Sequence, residues 1–205
     1  MRTLISVILG TLIAGSMIAA PIAYKRWHDR EYRNFHVVEE GVLYRSGQLP
    51  VARLQQLVAL HGIRTVISLR DSDRPIDKDE EAWIKARHLN FVRLAPLSWW
   101  PDADGNIPGD ANVKVFREVM DDPAKYPVLI HCFAGIHRTG TMCAIFRMDY
   151  QGWTNDEAMN EMRTIGYTML DDHADVLNYL TQYRSPQREK LLPILPVGHK
   201  KNPVP

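Results

Sequence analysis

Three features of the sequence predict an α/β fold with a central, mostly parallel sheet flanked by helices. Short apolar strands alternate with amphipathic helices through the middle of the chain. One strand, within residues 126–132 ("YPVLIHC"), is apolar almost throughout up to His131, the pattern of a strand covered on both faces. A dense loop, "HCFAGIHRTG" at residues 131–140, then joins that strand to a helix. The chain has 205 residues, 45% of them hydrophobic, enough for one domain with a real core. Residues 31–186 read as that domain, residues 1–30 as a membrane anchor or signal peptide with a juxtamembrane linker, and residues 187–205 as a Pro-rich basic tail.

The elements follow in order. "GVLYRSGQLP" (41–50) is a short strand ending in a turn. "PVARLQQLVALHG" (50–62) is a helix: Pro50 suits its first turn, Leu54, Leu57, Val58 and Leu60 supply apolar positions, and Gly62 follows its end. "IRTVISLRD" (63–71) is a strand buried at its centre. "KDEEAWIKARHLN" (78–90) is a helix with acids near its start and bases near its end, which suits the helix dipole. "FVRLAPL" (91–97) is a strand, and "GDANVKVFREVMDD" (109–122) a helix with Asp110 as its cap. After the loop the chain stays helical. "TNDEAMNEMRTIG" (154–166) opens with Thr154 and Glu157 at capping-box spacing, and "DDHADVLNYLTQY" (171–183) is the last helix. Met142, Met148, Met159, Met162 and Met169 fall on or near these helices and read as core packing.

Charge and cysteine content narrow the function. With 25 basic and 24 acidic side chains the formal net charge is +1, without the basic excess of a nucleic-acid protein. The two cysteines, Cys132 and Cys143, exclude a disulfide framework. One is placed at a strand end and the other inside the next helix, which argues against a bridge between them; a free thiol suits a reducing compartment.

From Thr3 to Tyr24 no residue is charged, a run of 22 that could span a bilayer. Arg2 precedes it, and Lys25, Arg26 and Arg30 follow. The competing reading is a cleaved signal peptide. Its candidate site Ala14-Gly15-Ser16 leaves a short apolar run, and Ile18-Ala19-Ala20 puts a bulky residue where a small one is wanted. The expectation is an uncleaved, single-pass anchor. The basic flank then places the rest of the chain in the cytoplasm; a cleaved signal would make it periplasmic or secreted. The tail, with four prolines after Pro186 and the pair Lys200-Lys201, reads as having little regular structure.

The loop carries the chemistry. Five residues, Phe133, Ala134, Gly135, Ile136 and His137, separate Cys132 from Arg138. Gly135 can take backbone angles that other residues avoid. Inward-facing N–H groups and the start of a helix at Arg138 make a cradle for a tetrahedral oxyanion. The same field favours a cysteine thiolate, and Arg138 can grip two phosphate oxygens at once. A nucleophile beneath a phosphate cradle with a fixed arginine is a device for phosphoryl transfer to sulfur. A lone cysteine would read as a small buried hydrophobe; the full string His-Cys-x-x-Gly-x-x-Arg-Thr-Gly does not.

"HCFAGIHRTG" resembles the signature loop of the cysteine-dependent protein tyrosine and dual-specificity phosphatases. "LYRSGQ" (43–48), "GIRTVISLR" (62–70) and "PVLIHC" (127–132) resemble segments of the compact atypical dual-specificity branch, so the likeness covers roughly residues 35–183. It implies that Cys132 is the nucleophile and that Arg138 binds phosphate and stabilises the transition state. Thr139 would hydrogen-bond the sulfur and help it leave, and His131 would orient the loop and tune the thiol. Residues 133–138 would bind the substrate phosphate. Arg45 and Ser46 are expected to shape the surroundings of the loop, and His137 to lie at its rim, adding positive charge when protonated.

The leaving oxygen needs a proton, and the cysteinyl phosphate later needs an activated water; one carboxyl group can serve both steps. In "SWWPDADGNIP" (98–108), Trp100-Pro101-Asp102 resembles the movable Trp-Pro-Asp loop of the family, which makes Asp102 the expected acid and Asp104 its competitor. A solvated turn is the structural alternative for both. No metal or cofactor is expected: His61, His88 and His173 are scattered, and arginine with backbone amides already supplies the positive charge.

The expected partners are a phosphorylated protein, a phospholipid or a small phosphate, and a membrane through the N-terminal run; the chain is expected to be a monomer. Phe133–His137 contains no lysine, which argues against highly charged inositol phosphates. An inactive phospho-binding relative would be expected to lose Cys132, Arg138 or the acid. A sulfur-transfer domain would give no work to Thr139 or Asp102.

Overall fold

The apolar strand lies at the centre of the sheet, as its composition requires. The computed structural model describes residues 10, 13–23, 32–71 and 73–186. Its strands are β1 (His36–Glu39), β2 (Leu43–Gly47), β3 (Thr65–Ser68), β4 (Asn90–Arg93) and β5 (Val128–Cys132), in the order β1-β2-β5-β3-β4. β1 runs antiparallel to β2, and every other pairing is parallel. The predicted mostly parallel α/β fold is what forms.

The helices are α1 (Val51–His61), α2 (Pro75–Ala86), α3 (Gly109–Met120), α4 (His137–Tyr150), α5 (Asn155–Thr164) and α6 (Ala174–Gln182). Two separate cores cover the two faces of the sheet. Val128, Ile130 and Cys132 pack with residues of α3, α4, α5 and α6, whereas Leu129 packs with Leu54, Leu57 and Ile84 of α1 and α2. The alternation along β5 therefore sends Cys132 to the α4 side and His131 to the α2 side. The register pairs Gly47 with Cys132 and both Ser46 and Ser68 with His131, so three parallel strands end together. Ligand sites of such sheets lie at this C-terminal edge.

The sequence reading needs four adjustments. β1 is an extra edge strand, with an irregularity between Val37 and Glu39. α2 starts three residues early because Pro75 takes its first position, where the missing N–H costs nothing. Asp110 does not cap α3: Pro108 holds that place, and Asp110 Oδ1 accepts from the Tyr179 hydroxyl at 2.7 Å instead. Met169 is 55% exposed, while Met142, Met148, Met159 and Met162 are buried as expected. The Thr154–Glu157 capping box forms as read, and Gly62 ends α1 at φ +64°.

Among the described residues no helix is long and apolar enough to cross a membrane. Residues 13–23 are helical and exposed. Most of the remaining uncharged N-terminal run, and the tail at 187–205, lie outside the described residues.

Candidate active site

β5 ends at Cys132 and α4 begins at His137, so four residues must reverse the chain. Three carbonyls of that turn are held from outside. Phe133 O accepts from Gln48 N–H at 3.1 Å, Ala134 O from Asn34 Nδ2 at 2.8 Å, and Gly135 O from Arg45 Nη2 at 2.7 Å. Across a trans peptide the C=O and the next N–H point in opposite directions. Anchoring these carbonyls outward therefore turns the N–H groups of Ala134, Gly135 and Ile136 into the loop. Gly135 makes the approach possible: its φ is +73°, and a Cβ there would lie closer than 3.0 Å to the Gly47 nitrogen and the Ser46 carbonyl. Arg45, buried to 1% exposure, is thus a brace for the loop, as expected.

Cys132 sits in this cradle at 3% exposure. Burial alone pushes a thiol up. The Thr139 hydroxyl, the N–H groups of Thr139 and Gly135, and the charge of Arg138 together outweigh it and hold the Cys132 thiol below its ordinary value. The Thr139 hydroxyl is fully buried; it lies close enough to lower the thiol pKa but makes no well-aligned hydrogen bond. Cys143 is the internal contrast: it lacks these donors, and burial pushes it up to about 11. Both cysteines are free thiols.

Arg138 is aimed from the neighbouring strand: its Nη1 donates to the Leu69 carbonyl, just beyond β3, at 2.6 Å. A second arginine stands beside it. Arg70, 7% exposed, is held as a fork by Asp77 (2.6 and 3.1 Å), and Gln48 Nε2 adds a third bond to Asp77 at 2.6 Å. The Asp77 partnership, opposed by burial, raises the Arg70 pKa, and the Cys132 thiolate raises it further, so Arg70 lies within electrostatic reach of the sulfur. The Phe133 ring, 45% exposed, has Arg33 at 4.8 Å and Arg70 at 5.4 Å from its centre.

His131 lies on the other face, with Nε2 3.1 Å from Glu80 Oε1. His137 is at the rim, its ring stacked on Tyr167 at 4.3 Å and 5.3 Å from His173. Burial, then His173 and Arg138, lower its pKa. It therefore becomes cationic only at a more acidic pH than an ordinary histidine, which weakens its expected role as an added positive charge.

The loop at 98–108 is shaped by its own side chains. Trp99 packs against Tyr179, ring centres 4.5 Å apart and tilted, and covers Gly109 so closely that any Cβ there would strike its ring. Asp102 is exposed, and its Oδ1 accepts from the N–H groups of Asp104 (3.0 Å) and Asn106 (2.9 Å), an Asx-type turn. Asp104 is exposed too. Among the described residues no hydrogen bond, ion pair or ring contact links this loop to residues 132–138. The structure thus joins Cys132, Gly135, Arg138 and Thr139 into one unit and leaves Asp102, the expected acid, on a separate loop.

If Asp102 protonates the leaving group, Asp102→Ala should slow an alkyl or tyrosyl phosphate by about 10²-fold or more and an acidic phenol ester little in the first step. Steady-state and burst kinetics on both substrates check this, with Asp104→Ala as the control. Leaving-group dependence in Asp104→Ala alone would exchange the two roles.

Sequence reasoning passed over Arg33, Asn34, Arg70, Asp77 and Glu80. Arg70 could have been found, since it falls at the end of a segment (63–71) read as a strand buried at its centre. Asn34 could not: its partner is 100 residues away. Among the described residues no group of three or more His, Cys, Asp or Glu could hold a metal ion.

Comparison with known proteins agrees with this geometry. A family model described as "DSP-PTPase phosphatase fused to NAD+ Kinase" matches residues 21–176. The dual specificity protein phosphatase TpbA of Pseudomonas aeruginosa is 29% identical over 185 residues, covering 88% of this chain and 79% of the relative. The inositol diphosphatase DSP1 of Oryza sativa is 31% identical over 114 residues, 56% of this chain and 49% of that protein. The crystal structure of P. aeruginosa TpbA superposes with a TM-score of 0.59 at 28% identity, over 78% of this chain and 91% of that one. A cysteine-to-serine variant of TpbA has been solved with phosphotyrosine, and it superposes with the same TM-score.

Proposed function

This chain belongs to the DSP-PTPase phosphatase family and is a cysteine-dependent phosphatase; from that premise we propose how its residues divide the reaction and which phosphates it takes. The Cys132 sulfur attacks phosphorus, the bond from phosphorus to the leaving oxygen breaks, and a cysteinyl phosphate forms. Arg138 and the inward N–H groups of 134–136 hold the non-reacting oxygens as charge builds on them. Asp102 gives its proton to the leaving oxygen. In the second step the same carboxylate takes a proton from water, which attacks phosphorus, and the Thr139 hydroxyl stabilises the departing thiolate. The observation that carries this reading is the convergence of four groups on one buried sulfur, which keeps its pKa low despite burial.

For substrate we favour a phosphoprotein, phosphotyrosine above all. The support is the related TpbA, solved with phosphotyrosine. Arg33 and Arg70 favour a second reading, a substrate with more than one acidic group, such as an inositol phosphate. Its charges would be met by arginines from outside the loop, so the lack of lysine within 133–137 no longer counts against it. A panel of phosphotyrosyl peptides and inositol polyphosphates separates the two. On the favoured reading the peptides have the higher kcat/KM, and Arg33→Ala changes it by less than about threefold, as suits a partly solvated charge. A preference for inositol phosphates that Arg33→Ala abolishes would establish the second reading instead.

We also propose that residues 3–24 anchor the chain as a single pass with the catalytic domain in the cytoplasm, the reading supported by the uncharged run and its basic flank. In cell fractionation the full chain should stay with membranes through a high-salt wash, which strips proteins held by charge alone. Release by salt would defeat the anchor.

A further inference from the structure

Two consecutive residues ahead of β1, Arg33 and Asn34, take left-handed backbone angles, φ +43° and +57°. Neither is glycine. Asparagine tolerates this region and arginine seldom adopts it, so such a pair persists only where its surroundings fix it. Here the fixing group is main chain: Gly47 N–H donates to the Arg33 carbonyl at 2.5 Å. The packing is close, since a Cβ on Gly47 would lie 3.0 Å from that of Arg33. The kink carries the Asn34 side chain to the catalytic loop, where its Nδ2 donates to the Ala134 carbonyl at 2.8 Å.

The three outward ties of that loop are not equivalent, because each carbonyl shares its peptide with a different N–H. Phe133 O shares with Ala134 N–H, Gly135 O with Ile136 N–H, and Ala134 O with Gly135 N–H. Of these three N–H groups, that of Gly135 bonds the Cys132 sulfur. The same peptide is the one most free to turn over. A flip changes ψ of the residue before it and φ of the residue after it. Here the residue after is glycine, which accepts φ of either sign. Turned over, the peptide would face the sulfur with a carbonyl oxygen in place of a donor, which disfavours a thiolate.

We propose that Asn34 is a positioning residue for the phosphatase reaction: its side-chain amide locks the Ala134–Gly135 peptide with the N–H toward the Cys132 sulfur. The proposal rests on the phosphatase reading above. The charged and titratable groups around the sulfur are held by other partners. Arg138 donates to Leu69 O, Arg70 is forked by Asp77, and His131 faces Glu80 on the other side of the sheet. Cys143, raised to about 11, stays protonated. Replacing Asn34 therefore leaves these groups in place and removes the lock alone. A residue that only filled space would alter stability or overall reactivity without moving the titration of the thiol.

The test is the pH dependence of Cys132 alkylation by iodoacetamide in the full chain, together with inhibition by inorganic phosphate. Cys143, fully buried, does not compete. Asn34→Gly keeps the left-handed backbone and removes the amide. It should move the alkylation midpoint up by about half a pH unit or more and weaken phosphate inhibition by about fivefold. An unmoved midpoint would overturn the proposal, whatever happens to reactivity at a single pH. Weaker phosphate inhibition with the midpoint unmoved would mean that Asn34 serves the phosphate and not the sulfur, and would overturn it too. Should Asn34→Gly fail to fold, Asn34→Ser, whose hydroxyl stops one atom short of the amide nitrogen, is read by the same two outcomes. Aryl phosphate turnover by the wild type is measured separately, so loss of the phosphatase reading would show there and not in the alkylation curve.

Discussion

Cys132→Ser should abolish turnover, by about 10⁴-fold or more, while leaving the affinity for inorganic phosphate within a few-fold of wild type. The two halves of this expectation have different origins. Turnover needs the sulfur, because a serine hydroxyl stays protonated under conditions in which this thiol ionises. The donors that favour the thiolate do not bring an alcohol into the same range. Binding does not need the sulfur: the cradle is made by the N–H groups of 134–136, whose carbonyls are tied to Gln48, Asn34 and Arg45, and by Arg138. None of these ties passes through Sγ. Activity assays together with phosphate inhibition or calorimetry check both halves. A serine variant that works near the wild-type rate would remove Cys132 from its role. One that loses phosphate binding as well would mean that the cradle depends on the thiolate for its shape.

Arg138→Lys is expected to fail differently, losing phosphate affinity and about 10³-fold or more in kcat together. The guanidinium already spends one N–H on the Leu69 carbonyl at 2.6 Å, and that bond aims the remaining fork at the loop. A lysine ammonium could meet Leu69 or the phosphate, but it cannot hold the planar two-point geometry. Arg70 will not substitute, because Asp77 holds its Nε and Nη2. Measuring kcat and phosphate inhibition on the lysine variant checks this. Near-normal values for both would show that a point charge suffices and that the fork is not used.

The sequence made the nucleophile and its cradle legible because they are local. An apolar strand, a cysteine at its end, a glycine with φ +73° and an arginine at the start of a helix all lie within eleven residues. The central sheet was legible for a similar reason, since β5 could be buried on both faces only in its middle. The supports of the site were not. Asn34 and Arg45 reach the loop from 100 and 90 residues away, which no periodicity records. Asp77 and Glu80 were hidden by their neighbours: a helix full of charge reads as solvent-facing, and their partners come from just beyond β2 (Gln48), just beyond β3 (Arg70) and β5 (His131). Asp102 shows the opposite failure. A three-residue match marks it, yet its carboxylate is bonded within its own turn, and geometry alone does not join it to the sulfur.

The most direct measurement is rapid denaturing quench of the full chain during turnover of a phosphate-labelled aryl ester, followed by mapping of the label. The account requires a covalent label on Cys132, formed no more slowly than the overall rate, at no more than one per chain, and absent from Cys132→Ser. Label on another residue, or sustained turnover with Cys132 never phosphorylated, would contradict it.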